Sequence, residues 1–264
     1  MKLGFIGCGN MASAIMKGIL SNGLMDASDM IGADVFAPSC EKVKADLGIQ
    51  IAKDNRQVVE EAEAFVLSIK PQFYEVVIKE IKDSVRENQL IITLAPGKTL
   101  TWLEAQFGKK VKIVRTMPNT PAMVLEGMTA ACPNENVTAE ELDYVLTILR
   151  AFGEAEVVPE KLIDAVVAVS GSSPAYVYML IEAMADAVVA EGMPRNMAYK
   201  FASKAVMGSA KMVLETGKHP GELKDMVCSP GGTTIEAVKV LEETGFRGSV
   251  MQAMEVCAEK SRNM

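Results

Sequence analysis

Three small residues near the N-terminus, Gly7, Gly9 and Ala12, have the G-x-G-x-x-G/A spacing of a turn that holds a dinucleotide pyrophosphate. An apolar run from Leu3 to Ile6 precedes them and predicts a buried strand, and helical periodicity begins at Met11. In such a turn the first glycine permits the bend and the second lets the backbone approach the phosphates. The motif therefore predicts a dinucleotide site at a helix N-terminus, with an ordinary strand–helix turn as the alternative.

One acidic residue, Asp34, stands where a dinucleotide site needs a partner for the ribose. It follows a short apolar segment, Met30–Ala33, that predicts the second strand. It also lies about 20 residues past the motif, where an acid accepts a hydrogen bond from the ribose 2′-hydroxyl. A carboxylate there repels the 2′-phosphate of NADPH, so the sequence predicts a preference for NADH, or at least weak discrimination between the two cofactors.

Two further segments have residue types suited to ligand binding. Lys70-Pro71 ends an apolar strand, so the ammonium group could meet a phosphate or a ribose, although a solvated lysine is equally compatible with the spacing. In Met117–Pro121 two prolines fix the backbone, which favours a rigid binding loop over an ordinary connection.

A second anion site is predicted near the C-terminus, in the segment Ser229–Thr234. Two glycines and two threonines precede a helical run that begins at Ile235. Backbone N–H groups and hydroxyls at a helix N-terminus suit a carboxylate, and an elaborate helix cap is the alternative.

No set of residues for nucleophilic or paired-carboxylate catalysis stands out. The single histidine, His219, precedes Pro220-Gly221 and is typical of a structural turn. Cys228 has neither a histidine nor a C-x-x-C partner, which argues against a redox role. The chemistry is therefore expected to depend on the cofactor.

The elements around these motifs alternate between strand and helix, which predicts βαβ units and a parallel sheet. The breaker-rich turns then fall at the carboxyl ends of the strands, where such sheets bind ligands. Asn55 is the predicted cap of one helix, and Thr101 with Glu104 is the predicted capping box of another. The predicted strands are 3–6, 30–33, 49–51, 64–69, 90–94, 111–115, 128–132 and 156–158, and the main helices are 39–47, 73–84 and 138–152.

The pattern changes after Leu162, where helices punctuated by glycine and proline follow and no strand is predicted. We therefore expect a dinucleotide-binding domain at 1–160 and a helical domain at 161–264. The second is rich in Ala, Val and Met, which favours a homo-oligomer that buries it. An intramolecular core filled by these residues is the alternative.

Composition excludes several classes of protein. The 264 residues have a net charge of −7 and no Lys/Arg cluster, which argues against nucleic-acid binding. Five scattered cysteines and one histidine predict neither a metal site nor a disulfide framework. The apolar stretch from Ala165 to Ile181 is interrupted by Ser170–Pro174, so we expect no membrane span. An immediate first strand leaves no room for a signal peptide, and a cytoplasmic protein is expected.

Five motifs occur in an order and at a spacing that resemble the pyrroline-5-carboxylate reductase family across essentially the whole chain. They are Gly7–Met11, Ser68–Gln72, Arg115–Ala122, Gly171–Tyr176 and Val227–Thr234. The resemblance implies an N-terminal Rossmann-like domain, a C-terminal all-α dimerisation domain, and dimers that often assemble into decamers. It implies hydride transfer from NAD(P)H to the C=N bond of 1-pyrroline-5-carboxylate, giving L-proline. The site would lie between the dinucleotide-binding edge and the Ser229–Thr234 loop.

The resemblance also implies residue roles, which are carried over motif by motif. The implied cofactor contacts, to which Asp34 is added from its spacing, are Gly7, Cys8, Gly9, Asn10, Met11, Asn55, Ile69, Lys70, Pro71, Leu94, Ala95 and Pro96. The implied substrate contacts are Ser229, Gly232, Thr233, Thr234, Glu160 and Ser172. The Thr234 hydroxyl is the candidate catalytic group, as a partner of the ring nitrogen. No metal is implied.

Two positions depart from the family pattern. Pro96 stands in a turn that is commonly Ala-Ala-Gly, so one backbone donor is missing there. Asp34 stands where many members have Ser or Thr, which suit a 2′-phosphate.

Two other functions are compatible with parts of the pattern. A β-hydroxyacid dehydrogenase would need a lysine on the first long helix of the second domain, but none occurs between Leu162 and Arg195. A dinucleotide-sensing protein without turnover would have no need of the second, carboxylate-sized site at Ser229–Thr234.

Overall fold

The computed structural model of the chain describes residues 2–94 and 96–263. Its contacts form two compact units, one of Met1–Ser172 with Cys257–Met264 and one of Ser173–Val256. The first unit thus extends past residue 160 and takes in the end of the chain. The division into functional domains at 1–160 and 161–264 stays a prediction.

The first unit is built on one eight-stranded sheet with the order β3-β2-β1-β4-β5-β6-β7-β8. Its central strands are fully buried, as the short apolar runs predicted. The strands are β1 Leu3–Ile6, β2 Met30–Ala33, β3 Gln50–Ile51, β4 Ala64–Leu67, β5 Leu90–Thr93, β6 Lys112–Met117, β7 Gly127–Pro133 and β8 Gly153–Val157.

The prediction of an all-parallel sheet is wrong for its last two strands. β1 to β6 pair in parallel, but β7 runs antiparallel to β6 and β8 runs parallel to β7. Only a 3₁₀ turn, Thr120–Val124, lies between β6 and β7. Parallel pairing needs a crossover of about a dozen residues or more, so this connection forces the chain to reverse.

Helices cover both faces of the sheet. Leu3 and Phe5 of β1 join one buried cluster and Ile6 joins the other, as expected for a doubly wound fold. The predicted Rossmann-like architecture is confirmed. The helices of this unit are α1 Asn10–Ser21, α2 Ala37–Leu47, α3 Asn55–Glu61, α4 Tyr74–Ile81, α5 Leu100–Phe107, α6 Ala139–Arg150 and α7 Ile163–Val166, the last followed by a π-helical turn, Val167–Gly171.

Two predicted helix caps are wrong by one or two residues. Asp54, not Asn55, caps α3, because its carboxylate accepts a hydrogen bond from the Gln57 amide. Thr99, not Thr101, caps α5 by accepting from the Trp102 amide. In both pairs, Asp54 with Asn55 and Thr99 with Thr101, each side chain carries an oxygen that could cap the helix. The residue at which the backbone enters the helical conformation decides which of the two does so.

The second unit consists of helices alone, apart from their connections. They are α8 Ser173–Ala190, α9 Arg195–Thr216, α10 Pro220–Val227, α11 Thr233–Glu243 and most of α12 Phe246–Arg262. Within 173–256 only three residues are buried, Ala185, Ala198 and Ala202. The unit therefore lacks a core of large side chains.

Many large apolar side chains of this unit are exposed instead, Met179, Phe201 and Leu214 among them. One helical stretch, Glu160–Ala190, has the length and apolar composition that would suffice to cross a membrane. A helix whose apolar face is covered by another protein surface has the same length and apolar composition.

Candidate active site

The order of the sheet reverses between β1 and β4, so the first crossover leads to one side of β1 and a later one to the other. In an open α/β sheet this reversal opens a crevice outside the carboxyl ends of the strands. The last paired residues there are Ile6, Ala33, Leu67 and Thr93. The predicted cofactor segments begin directly after them.

Gly7 lets the first turn pass close to Ser68, the residue that follows β4. Its φ is 94°, a left-handed conformation, and an added Cβ would lie 2.3 Å from the Ser68 carbonyl oxygen. Its amide donates to the Ala33 carbonyl at 2.8 Å, which continues the β1–β2 ladder by one step. Only glycine fits both the conformation and the close approach.

Gly9 is different, because the space beside it is open. It is the N-cap of α1 in an extended conformation, and an added Cβ would have no atom of the described residues within 4 Å. It has no side chain to cap the helix, so the first-turn N–H groups are left for another acceptor. Asn10 is exposed and Met11 half-buried at the same turn. These residues fit a pyrophosphate held at the helix N-terminus.

Asp34 is bound on both carboxylate oxygens. Its Oδ2 accepts from the Cys8 amide at 2.8 Å and its Oδ1 accepts from the Phe36 amide, also at 2.8 Å. The side chain therefore braces the glycine turn and holds a negative charge at the end of β2. Each carboxylate oxygen has a second lone pair, so Asp34 can still accept a hydrogen bond from a ribose hydroxyl.

Cys8 contributes its backbone rather than its thiol. The side chain is buried, and burial, with Cys40 and Asp34 beside it, raises the pKa of the Cys8 thiol. A thiol of this kind stays protonated and unreactive. Its amide is already bonded to Asp34, which is a role that the sequence did not indicate.

The remaining predicted cofactor residues lie along the same edge of the sheet. Lys70 is exposed and caps a 3₁₀ turn, and Ile69 and Pro71 flank it half-buried. Leu94 and Pro96 are half-buried after β5, while Ala95 lies outside the described residues. The side-chain Nδ2 of Asn55 donates to the Glu80 carboxylate at 3.0 Å.

In the Met117–Pro121 loop, for which the prolines predict a rigid backbone, the side chain that bonds to neighbouring elements is that of Asn119. Its Oδ1 accepts from the Met128 amide at 2.9 Å and its Nδ2 donates to the Ser170 carbonyl at 3.2 Å. Asn119 thereby ties the loop to β7 and to the π-helical turn. The sequence suggested a binding loop without indicating this anchor.

Glu160 and Ser172, two of the predicted substrate residues, already have partners in the first unit. Glu160 pairs with buried Arg115 at 2.7 Å and accepts from the Leu100 amide at 2.7 Å. The Cys257 thiol donates to the Ser172 hydroxyl at 3.2 Å. The sequence analysis missed the Arg115–Glu160 pair, although an arginine inside an apolar strand is the feature that would have revealed it.

The Ser229–Thr234 loop, in the second unit, also ends in a glycine cap. Gly231 has a φ of 66°, Gly232 donates to the Ser229 carbonyl at 3.0 Å, and Gly232 is the N-cap of α11. Thr234 lies in the first turn and is half-buried, while Ser229 is exposed. The N-terminus of α11 therefore has no cap from the side chain of its N-cap residue. By contrast, His219 caps α10 by accepting from the Gly221 amide, as expected of a structural histidine.

Comparison with known proteins gives matches to both halves of the chain. A family model described as pyrroline-5-carboxylate reductase dimerisation matches residues 160–264, and one described as NADP oxidoreductase, coenzyme F420-dependent, matches residues 2–97. The chain is 53% identical to the pyrroline-5-carboxylate reductase of Escherichia coli, with 100% of this chain and 98% of that protein covered.

The chain belongs to the pyrroline-5-carboxylate reductase family. Among solved structures, that of the Coxiella burnetii reductase matches 99% of this chain and 97% of its own, at 35% identity and a TM-score of 0.92. The Plasmodium falciparum reductase, solved with NADP bound, matches 100% and 97% at 32% identity and a TM-score of 0.90. Of the three functions considered from the sequence, the NAD(P)H-dependent reduction of pyrroline-5-carboxylate to proline is confirmed, as is the fold class.

Replacing Gly9 by Ala should weaken cofactor binding without unfolding the protein. The new methyl group meets open space in the fold but would occupy the position of the pyrophosphate. We expect the Kd for the cofactor to rise at least tenfold, which corresponds to about 1.4 kcal/mol, while the free energy of unfolding changes by less than about 1 kcal/mol.

The matched variant is Gly7→Ala, whose methyl group would collide with the Ser68 carbonyl. It should lower the free energy of unfolding by about 1–3 kcal/mol. Calorimetric titration with cofactor and denaturant unfolding measure both quantities. Wild-type cofactor affinity in Gly9→Ala would show that the turn does not hold the pyrophosphate.

Proposed function

We propose that two glycine-capped helix N-termini divide the work of this reductase. The N-terminus of α1 holds the pyrophosphate of the dinucleotide, and the N-terminus of α11 holds the carboxylate of 1-pyrroline-5-carboxylate. The observation that carries the proposal is that Gly9 and Gly232 each cap a helix without a side-chain acceptor. First-turn N–H groups left in this way are ready donors for an anion.

The proposed chemistry needs little more from the chain than positioning. When bound, the reduced nicotinamide supplies a hydride, and the imine carbon of the substrate accepts its two electrons. A cyclic imine is basic enough to be largely protonated near neutral pH, so its nitrogen already carries the proton that the product keeps. Holding the reacting atoms together supplies several kcal/mol by itself. This agrees with the lack of an obvious general acid in the sequence.

Within this proposal the substrate contacts are Ser229, Gly232, Thr233 and Thr234, with Glu160 and Ser172 as further candidates. The Ser229 hydroxyl and the first-turn N–H groups bind the carboxylate. The Thr234 hydroxyl accepts from, or relays a proton to, the ring nitrogen. The engaged carboxylate of Glu160 supports an indirect role, because Arg115 and the Leu100 amide already hold it.

Removing the Thr234 hydroxyl should slow turnover and leave cofactor binding intact. Thr234→Ala and Thr234→Val should each raise the barrier by about 1–3 kcal/mol, roughly ten- to a hundredfold in kcat/KM on the imine. Thr244→Val, at the other end of α11, is the matched control, because its exposed hydroxyl bonds only to helix carbonyls. Unchanged turnover would remove Thr234 from the mechanism. A loss confined to cofactor affinity would mean that the loop binds the dinucleotide.

We also propose that the enzyme prefers NADH. The carboxylate of Asp34 is fixed by two backbone amides at the end of β2, so it cannot turn away from a 2′-phosphate without giving up those bonds. The NADP bound to the Plasmodium falciparum reductase belongs to that protein. In this chain the fixed charge supports discrimination against the 2′-phosphate.

Asp34→Ser should shift the ratio of kcat/KM values toward NADPH by about tenfold or more, because a charge repulsion is removed. It should also weaken the binding of both cofactors, since the Cys8 amide loses its acceptor. Asp29→Asn makes the same change of charge at the amino end of β2 and should leave the ratio unchanged. A wild-type enzyme with a much higher kcat/KM for NADPH than for NADH would contradict this proposal.

The chain contains the family's dimerisation domain, and we propose that the active unit is a homodimer joined through residues after Leu162, with a decamer built from such dimers as the alternative. This association is supported by the second unit, which buries only three alanines and leaves many large apolar side chains exposed. We propose a cytoplasmic location for the assembly.

A charge on the exposed apolar surface of the second unit should dissociate the assembly. Met179 of α8 and Val76 of α4 are equally exposed, at 68% each, but lie in different units. We expect Met179→Glu to lower the mass measured by light scattering at micromolar concentration, and Val76→Glu to leave it unchanged. A folded and active wild-type monomer would rule out the proposed assembly, and recovery of the wild type only with membranes would contradict its location.

A further inference from the structure

Tyr74 is a fully buried tyrosine at the start of α4, and its hydroxyl lies between the ends of two parallel strands. The hydroxyl donates to the Leu67 carbonyl at 2.6 Å and accepts from the Leu94 amide at 3.1 Å. We infer that Tyr74 is a positioning residue for cofactor binding, which sets the distance between Leu67 and Leu94, the residues from which the chain leaves β4 and β5. This inference rests on the proposed function and on the cofactor contacts that the family resemblance implies after β4, at Ile69–Pro71, and after β5, at Leu94 and Pro96.

The ladder between β4 and β5 indicates what the hydroxyl replaces. Leu67 pairs with Thr93 at the carboxyl end of this ladder. At its other end the Leu90 amide donates directly to the Glu63 carbonyl. The equivalent bond after Thr93 would join the Leu94 amide to the Leu67 carbonyl. Tyr74 occupies that step, so one phenolic oxygen separates the two strand ends.

The consequence is a wider opening at the edge where ligands bind. A direct bond would bring the Leu94 nitrogen to about 2.9 Å from the Leu67 oxygen. With the hydroxyl between them, the two segments leave the sheet further apart and are still tied to one rigid group. On the other side of β4 the ladder continues, because the Ser68 amide donates to the Ile6 carbonyl. The separation is therefore specific to the β4–β5 side.

The hydroxyl is suited to a permanent role of this kind. Burial raises the pKa of Tyr74, although the hydrogen bond from the Leu94 amide lowers it in part. The phenol therefore keeps the proton that it donates to the Leu67 carbonyl over the whole working range of pH. As a neutral hydroxyl it can donate and accept at once.

Tyr74→Phe tests the inference, because it keeps the ring and removes only the bridging oxygen. We expect the Kd and the KM for NADH to rise about tenfold, and kcat on the imine to stay within about twofold of the wild type. Tyr144→Phe is the matched control. Its hydroxyl is also buried but has no hydrogen-bond partner among the described residues, so its removal should leave the cofactor Kd unchanged.

The outcomes separate this inference from the proposed function. Wild-type turnover of the imine tests the function, whereas direct titration with NADH tests Tyr74 without turnover. A Tyr74→Phe variant that is less stable but binds NADH like the wild type would overturn the inference. Should the variant not fold, hydrogen exchange of the wild type decides. The Leu94 amide should exchange slowly without cofactor, and exchange at the rate of an unprotected loop would contradict the bridge.

Discussion

The structure depends on one constraint, which is that buried backbone groups need partners where the parallel strands end. The hydrogen bonds between neighbouring strands stop at this edge. The chain must leave the sheet there without burying backbone amides or carbonyls that lack a hydrogen-bond partner. The Gly7 amide solves this by reaching the Ala33 carbonyl, and Asp34 in turn accepts from the Cys8 amide. Between β4 and β5 the Tyr74 hydroxyl does the same. The groups that complete the sheet therefore also shape the edge at which we propose that the cofactor binds.

Helix N-termini are treated in two ways in this protein. Side chains cap some of the helices, as Asp54, Thr99 and Thr138 do for α3, α5 and α6. Other helices, α2, α4 and α9 among them, have no side-chain cap. At α1 and α11 the N-cap residue is a glycine, Gly9 or Gly232, which offers neither an acceptor nor a side chain that would fill the space beside the first turn. A glycine cap of this kind costs some stability in the empty protein, and an anionic ligand restores it. The two glycine-capped ends are therefore compatible with the dinucleotide and the carboxylate that we propose for them.

The second unit illustrates a different physical limit. With only three alanines buried within 173–256, its helices gain little from removing apolar surface from water inside the chain. Burial of Met179, Phe201 and other exposed side chains against a partner would supply what is missing. A dimerisation domain in the family model for this region agrees with that explanation. Of the apolar stretch Glu160–Ala190, the part that forms α8 lies in this unit.

The sequence by itself determined most of the strands and the family, because apolar runs and ordered motifs are local properties of the chain. From glycine spacing it also predicted the two anion-binding motifs. It did not determine which of two adjacent polar residues caps a helix, since Asp54 and Asn55 carry equivalent oxygens. The reversal of β7 follows from a connection too short for a crossover, a constraint visible only once both strands are placed. The tertiary structure alone decided that the Tyr74 hydroxyl joins Leu67 to Leu94 and that Asp34 holds the Cys8 amide. These partners are distant in sequence, and only the packing of helices and strands brings their polar atoms within hydrogen-bond distance.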